Sequence, residues 1–182
     1  VHEVQHLRRL GPERRVGEIQ LQGPSVMSGY FENPEKTRET IDAGGWLNTG
    51  DLGYLAEGRI FICGWQKDIL IVNGKNYYPT DLEWAATGVD GIRAGNAIAF
   101  AAHRPDLGRE AVVVVAESRE ADGREALATE VKTAIHGVTG LMVDEVVIVD
   151  AGTIPKTSSG KMQRAKARAL FETGELKKRE GE

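Results

Sequence analysis

The first third of the chain consists of short segments whose apolar residues follow the spacing of strands. Residues 17–23 (GEIQLQG) alternate apolar and polar side chains, as a half-buried strand does, and a Gly/Pro turn follows them. Asn33 and Pro34 predict a short helix that ends near Gly44, because asparagine caps helix N-termini and proline is tolerated in the first turn. Three segments punctuated by glycines predict further turns and strands: residues 46–51, 59–64 and 69–72.

Beyond Gly74 the pattern changes to alternating helices and strands. Thr80 and Glu83 have the spacing of a capping box, which predicts a helix over residues 81–87. Two apolar runs predict buried strands joined by a polar hairpin loop: residues 97–102 and 111–117.

The rest of the chain predicts two more helices with a strand between them. Five apolar side chains recur on one face at helical spacing: Leu127, Val131, Ala134, Ile135 and Val138. Gly140 is placed to end this helix. A strand is predicted over residues 145–149, and a final helix over 163–173 with Gly174 after it.

These elements predict an α+β fold in two parts. Residues 67–182 are expected to form a small domain with an antiparallel sheet and flanking helices, and residues 1–66 a β-rich segment before it, with the boundary near residues 64–68. The chain starts at Val1 and leads into a strand pattern without a recognisable opening, so we expect a fragment of a longer protein.

Composition narrows the functional class. The 182 residues are 41% hydrophobic with a net charge of -4, which disfavours a generally basic nucleic-acid binder, and no apolar run is long enough to span a membrane. Cys63 is the only cysteine and no signal peptide is recognisable, so a reducing, cytoplasmic setting is expected. The four histidines lack metal-ligand spacing, and no metal site is predicted: His2, His6, His103 and His136.

A small-residue loop precedes Lys161 and carries the strongest chemical signal. Residues 157–160 (TSSG) predict a mobile loop that ends on Lys161, at the start of a basic helix. A compact ammonium delivered by such a loop could stabilise the charge that gathers on phosphoryl oxygens when a carboxylate attacks the α-phosphate of ATP. A P-loop does not fit, because Met162 follows the lysine where Ser or Thr is needed. Taken alone, the segment favours an exposed loop beside a solvated helix over a catalytic site.

Motifs in a fixed order along the chain extend this signal. They are residues 17–23 with 28–31 (SGYF) and 33–37 (NPEKT), 49–51 (TGD), 64–68 (GWQKD), 73–79 (NGKNYYP) with 81–83 (DLE), and 155–164 (PKTSSGKMQR). In this order they resemble the C-terminal part of the adenylate-forming (acyl-activating) superfamily, which includes acyl-CoA synthetases, fatty acyl-AMP ligases, adenylation domains of peptide synthetases and luciferase. Each motif is weak alone, but the ordered set is specific.

The resemblance implies roles for individual residues. Lys161 would be the catalytic lysine, and Asp51 would accept hydrogen bonds from the ribose hydroxyls of ATP, a task that suits an acceptor-only carboxylate. Lys67 would be the hinge whose backbone torsions change as the small domain swings, and Gly74 would let a phosphopantetheine arm pass close to the backbone. The local alternatives are a turn aspartate at Asp51 and a surface charge at Lys67.

Further residues have weaker implied roles. Tyr77 and Tyr78 are expected to pack rather than to bind ligand. Seven basic residues could meet an acidic carrier protein or form a solvated face: Lys161, Arg164, Lys166, Arg168, Lys177, Lys178 and Arg179.

Trp65 departs from the pattern. Family members usually carry arginine directly after the hinge-motif glycine, where it contacts the nucleotide. An indole has one N–H and no charge, so it cannot reproduce a guanidinium's bidentate grip, although it could stack on adenine.

Within the superfamily, the segments 74–83 and 158–176 look most like fatty acyl-AMP ligases. This resemblance implies ATP-dependent activation of a fatty or related carboxylic acid, with transfer to a carrier-protein thiol. ATP and Mg²⁺ would be bound mainly by an upstream domain, and the isolated fragment is expected to be inactive. The alternatives are an acyl-CoA synthetase, with CoA as acceptor, and a non-catalytic adenylate-forming-like binding module, which Trp65 favours.

Overall fold

The structure is a computed structural model that describes residues 6–9, 13–104, 106–120 and 122–176, with side chains from residue 13 onward. The chain divides into two compact units, Val1–Ile69 and Leu70–Glu182. The division falls beside the predicted boundary at residues 64–68.

The described part of the first unit is built on an antiparallel sheet. Its strands pair in chain order: β1 (His6–Arg9), β2 (Gly17–Gln22), β3 (Leu47–Ala56) and β4 (Arg59–Trp65). Helix α1 (Pro34–Thr40) lies between β2 and β3, and a 3-10 turn (Gln66–Asp68) follows β4.

Helix α1 starts as its sequence predicts. The Asn33 side chain accepts a hydrogen bond from the backbone N–H of Lys36, and Pro34 occupies the first turn. The helix ends at Thr40 rather than near Gly44, because Ile41 adopts an extended conformation and bridges to Leu47.

The second unit is a three-stranded sheet covered on both faces. In chain order its elements are the hairpin β5 (Leu70–Val72) and β6 (Lys75–Tyr77), helix α2 (Pro79–Thr87), strands β7 (Ile92–Arg104) and β8 (Arg109–Ser118), helix α3 (Arg124–Thr139), strand β9 (Glu145–Asp150) and helix α4 (Arg164–Glu172). The sheet order in the described residues is β7-β8-β9. The α+β prediction is confirmed.

One expectation about this sheet is wrong. β7 and β8 form the predicted antiparallel hairpin, but β9 pairs with β8 in parallel. The 16-residue helix α3 lies between β8 and β9, and such a crossover returns the chain to the end of the sheet where β8 began. The sheet is therefore mixed.

Alternate residues of β7 and β8 enter two separate apolar clusters. Ala99 and Val114 pack with α2 and α3 on one face, whereas Ile98 and Val113 pack with α4 on the other. A strand buried on both faces shows a continuous apolar run rather than alternation, which explains the runs in the sequence.

Helix α3 packs mainly through three side chains. Leu127, Val131 and Ile135 are buried, and Gly140 ends the helix in the left-handed conformation, as predicted. Val138 belongs to the predicted apolar face, but it is 57% exposed. None of the described helices has the length and apolar character that a bilayer crossing requires.

Candidate functional site

Lys161 lies at the end of a compact turn. The Thr157 backbone N–H donates to the Lys161 carbonyl at 2.8 Å, and the Thr157 hydroxyl accepts from the Lys161 N–H at 3.0 Å. The Gly160 N–H closes the turn onto the Thr157 carbonyl at 2.9 Å, and Gly160 has φ +83. This lysine turn, residues 156–162, is bounded by a bridge between Lys156 and Met162. Its internal hydrogen bonds contrast with the loose loop that its composition suggests.

The Lys161 side chain is free to meet a ligand. The residue is exposed, and its ammonium forms no hydrogen bond or ion pair with the residues whose side chains the structure describes. A primary ammonium on a hydrogen-bonded turn can place positive charge against phosphoryl oxygens without reorganising the backbone.

Two arginines of the basic set that follows Lys161 are paired with carboxylates. Arg164 donates to a carboxylate oxygen of Glu83 at 2.5 Å and to the Ala99 carbonyl at 2.8 Å, so it is a structural anchor. Arg168 pairs with Glu172 at 2.9 Å, and this hydrogen bond holds the pKa of Glu172 below its ordinary value. Arg164 and Arg168 therefore make intramolecular contacts, and a contact with a carrier protein stays an expectation for the set.

Two other members of that basic set, Lys161 and Lys166, are exposed in the described part of the chain. Lys177, Lys178 and Arg179 lie outside the described residues.

The predicted capping box at Thr80 and Glu83 is wrong, because Thr80 lies inside helix α2 and not at its N-cap. Helix α2 begins at Pro79 with Tyr78 as its N-cap, and no side chain makes the capping hydrogen bond. The Glu83 carboxylate instead accepts from the Ala99 N–H at 2.9 Å and from Arg164. The capping-box pattern predicted the helix correctly but not the contacts of Glu83, because its carboxylate bonds to Arg164, 81 positions further along the chain.

In the first unit, Asp51 lies on β3 directly across the antiparallel pair from Trp65. Its backbone N–H donates to the Thr49 hydroxyl at 3.0 Å, and that hydroxyl donates to the Ile19 carbonyl at 2.8 Å. The Asp51 carboxylate has no hydrogen bond or ion pair among the side chains that the structure describes, so it is available as an acceptor. Asp51 is partly buried, which suits a carboxylate that accepts from sugar hydroxyls.

Trp65 packs against the glycine that precedes Asp51. A Cβ added to Gly50 would lie 2.6 Å from the indole nitrogen, and Gly50 has φ +76, so glycine is required there on two counts. The Lys67 ammonium lies 5.5 Å from the centroid of the Trp65 ring, a cation–π distance. The first unit thus brings Asp51, Trp65 and Lys67 together, whereas Gly74 and Lys161 belong to the second.

Gly74 forms the tip of the β5–β6 hairpin with Asn73. Both residues have positive φ, +52 and +74, as a two-residue type I′ turn requires, and Val72 pairs with Lys75 across it. Apart from Gly74 and its two chain neighbours, no atom of the described residues lies within 4 Å of a Cβ added at Gly74. Glycine is therefore favoured there by its positive φ, and there is open space beside it.

A groove of about 420 Å³ lies next to this hairpin. Tyr77 and Tyr78 line it together with Asp81, whose pKa is raised by burial. Tyr77 also packs against the apolar cluster beneath α2, in agreement with the expectation that it packs rather than binds a ligand. Trp84 closes one side of the groove and is 72% exposed.

The fold is that of the adenylate-forming (acyl-activating) class, and the matches to a family model, relatives and solved structures confirm the resemblance seen in the sequence. The chain belongs to the family described as Disco-interacting protein 2-like, AMP domain, whose family model matches residues 67–180.

Curated relatives agree with this class. A putative acyl-CoA synthetase of Caulobacter vibrioides is 45% identical over 90% of this chain and 28% of its own length. The medium-chain-fatty-acid–[acyl-carrier-protein] ligase JamA of Moorena producens is 36% identical over 93% of this chain and 30% of its own length. The chain therefore spans less than a third of these relatives.

Solved structures show the same fold. A structure from a study of fatty acyl-adenylate ligases of E. coli and L. pneumophila matches with a TM-score of 0.73 and 35% identity, over 92% of this chain and 30% of that one. ATP-bound MatB from Rhodopseudomonas palustris matches with a TM-score of 0.77 and 28% identity, over 90% of this chain and 32% of that one.

The sequence did not indicate two polar residues that bond to the segment around the lysine turn. Glu117 accepts from the Ile154 backbone N–H, and Asn96 accepts from the Lys156 ammonium. Glu117 is fully buried, and Asn96 is 9% exposed. The one signal available was the charge of Glu117 at the end of an apolar run, since a carboxylate buried in a strand needs a partner.

Proposed function

We propose that the protein carrying this chain activates a fatty or related carboxylic acid with ATP and passes the acyl group to the phosphopantetheine thiol of a carrier protein. A carboxylate oxygen would attack the α-phosphorus, forming the acyl-adenylate O–P bond and breaking the α–β phosphoanhydride bond. Pyrophosphate would leave with the bonding electron pair. In the second step the thiol sulfur would attack the acyl carbonyl carbon, forming the thioester C–S bond, breaking the acyl C–O bond to AMP, which leaves, and releasing the thiol proton to solvent. The family assignment and the ligase names of the relatives support this proposal.

The observation that carries the proposal is the exposed Lys161 ammonium on a hydrogen-bonded turn, which has no ion-pair partner among the described side chains. In the proposed reaction it would stabilise the negative charge that gathers on the phosphoryl oxygens in the transition state. The carboxylate of Asp51, which has no partner among the described side chains, would accept hydrogen bonds from the ribose hydroxyls.

Lys67 and Gly74 would act in the domain rotation and in the acyl transfer that follows adenylation. Lys67 would be the hinge at which backbone torsions change, bringing Lys161 in for adenylation and removing it for acyl transfer. The open space beside Gly74 would admit the phosphopantetheine arm.

Mg²⁺ would supply charge neutralisation on the phosphates of ATP. No group of three or more His, Cys, Asp or Glu side chains in the described residues could hold a metal ion. We therefore assign it no ligand in this chain and no step.

Two alternatives have specific support. The 45% identical relative is named a putative acyl-CoA synthetase, which favours CoA as the acceptor. Trp65 favours a non-catalytic binding module, because the indole and its packing on Gly50 replace the guanidinium that would grip the nucleotide.

The test is acid-dependent ATP–pyrophosphate exchange on the full-length protein, with a series of fatty acids. We expect native exchange and a loss of about 100-fold or more in Lys161→Ala, in line with removal of a transition-state charge contact. The exposed Lys166 provides the matched control, and Lys166→Ala should retain exchange.

The outcomes separate the candidates. Unchanged exchange in Lys161→Ala would refute the catalytic role of that lysine. If the native protein shows no exchange with any of the acids, the non-catalytic binding module is favoured. Parallel assays with CoA and with a phosphopantetheinylated carrier protein as acceptor would decide between the two enzymes.

A further inference from the structure

The lysine turn is fixed at its start by a buried carboxylate that the proposed chemistry does not use. Ile154, two residues before the turn, donates its backbone N–H to Glu117 at 2.9 Å. The Glu117 side chain is fully buried and forms an ion pair with Arg93 of the neighbouring strand β7. The entry to the turn is therefore bonded directly to the sheet.

A second carboxylate fixes the far end. Arg164 follows the turn by two residues and donates to Glu83 at 2.5 Å, with both side chains largely buried. Glu83 also accepts from the N–H of Ala99, and Arg164 donates to the carbonyl of the same residue. This end is bonded to α2 and to the middle of β7.

A third contact lies inside the turn. The Lys156 ammonium donates to the side-chain carbonyl of Asn96, which is itself held on β7 by a hydrogen bond of 2.8 Å from its amide nitrogen to the Ala94 carbonyl. All three contacts therefore end on β7 or on its immediate partners.

Buried ion pairs are a poor source of stability, because removing two charges from water offsets most of their attraction. They do impose geometry, since a buried charge left without its partner is costly. The Glu83–Arg164 pair after the turn, and the backbone hydrogen bond from Ile154 to the ion-paired Glu117 before it, restrict where the turn can lie. Position matters in catalysis, because small displacements of a reacting group cost large factors in rate.

We propose that Glu117 and Glu83 are positioning residues for adenylation, which clamp the two ends of the lysine turn to the β7–β8 sheet so that Lys161 moves only as a rigid part of the second unit. This inference rests on the proposed function of Lys161. Neither carboxylate touches substrate, and each acts through the backbone or side chain that it holds.

The test compares the two half-reactions in the full-length protein. Glu117→Gln and Glu83→Gln keep the size of each side chain and remove its charge. We expect each to lower kcat for pyrophosphate exchange by about tenfold to 100-fold, with the KM for ATP within about twofold of native. Transfer from supplied acyl-adenylate to the acceptor thiol, which does not use Lys161, should stay within about twofold.

Asp144→Asn is the matched control. Asp144 also pairs with an arginine, Arg109, and accepts a backbone N–H, from Val112 at 2.8 Å, but it has no contact with the lysine turn. Both half-reactions should be unchanged in this variant. Equal losses in exchange and transfer for Glu117→Gln, or no loss in either, would overturn the positioning role.

Amide hydrogen exchange gives a readout that needs no activity. Peptides covering residues 155–163 should lose protection in Glu117→Gln and Glu83→Gln but keep it in Asp144→Asn. Unchanged protection in the two glutamine variants would refute the clamp. If either variant does not fold, Lys156→Met removes the third contact from an exposed side chain and should give the same selective loss of protection.

The parallel Lys161→Ala variant separates this proposal from the function itself. If Lys161→Ala abolishes exchange while both glutamine variants keep native kcat, the clamp alone is wrong. If Lys161→Ala keeps native exchange, the catalytic assignment fails whatever the glutamine variants show.

Discussion

Trp65 and Asp51 are directly opposed residues of the antiparallel β3–β4 pair. Directly opposed side chains in such a pair project from the same face of the sheet, so the indole stands beside the carboxylate. Any nucleotide that binds Asp51 through its ribose would therefore meet Trp65. The identity of residue 65 should affect nucleotide binding more than the folding of the unit.

Trp65→Arg is expected to lower the KM for ATP by about tenfold, because one good charge-assisted contact is worth roughly 1.5–3 kcal/mol and tenfold is about 1.4 kcal/mol. Trp65→Gln is the control, since it removes the indole without adding charge. Steady-state kinetics or calorimetric ATP titration would measure the effect. If ATP binding were weakened equally in Trp65→Arg and Trp65→Gln, the indole itself would be the group that contacts the nucleotide.

Gly50→Ala should destabilise the protein by about 1–3 kcal/mol from backbone strain alone, with a further loss from contact with the indole. Gly45→Ala is the control for backbone strain alone, because Gly45 has a similar φ of +77 but its nearest neighbour would be 3.6 Å from the new Cβ. The difference between the two variants is therefore the cost of the indole contact. Urea unfolding of both variants measures the difference. Combining Gly50→Ala with Trp65→Ala should remove the excess, and an additive double mutant would contradict the contact.

Ile135→Ala should cost about 2–5 kcal/mol, because Ile135 is fully buried in the cluster between α3 and the sheet. Val138→Ala, on the same helix, should change the free energy of unfolding by no more than about 0.5 kcal/mol, since that side chain is mostly exposed. Urea unfolding compares the two. Equal costs would mean that Val138 is covered in solution.

The Asp144 carboxylate predicts a pH dependence of stability. Hydrogen bonds from Arg109 hold its pKa below the ordinary value of 3.8. The unfolded chain then binds the proton more readily than the folded one, so the pair stabilises the fold above about pH 4 and is lost as pH falls through the lowered pKa.

Asp144→Asn should therefore be less stable than native at pH 7, by about 1–3 kcal/mol. The gap should close as the pH falls below 3.8, the ordinary pKa of this carboxyl. Urea unfolding from pH 7 to pH 2.5 measures it. A gap that stays constant over this range would exclude the ionised carboxylate as its cause.

The sequence predicts those features that depend on neighbouring residues. Asn33 caps α1, and Gly140 ends α3 in the left-handed conformation, because each meets a backbone requirement within one turn of itself. The β7–β8 hairpin follows for the same reason, since its two strands are adjacent in the chain and each has an apolar central run.

Features set by distant partners could not be predicted in this way. The parallel pairing of β9 depends on where α3 packs, which its periodicity does not specify. Glu83 has two chemically sound partners, the start of its own helix and Arg164, and only the fold decides between them. The contacts of Arg164 with Glu83 and Ala99 are likewise set by the fold, because both partners are distant in the chain.

The parallel pairing of β9 also orders events during folding. The β7–β8 hairpin closes across a short loop, whereas β9 can pair with β8 only after the chain has crossed over through α3, a longer and slower closure. The lysine turn follows β9 in the chain and depends on Glu117 and Asn96, which lie on strands already paired by then. We therefore expect the segment that presents Lys161 to be the last part of the second unit to gain amide protection in pulse-labelled refolding, and protection of residues 155–163 before that of β9 would contradict this order.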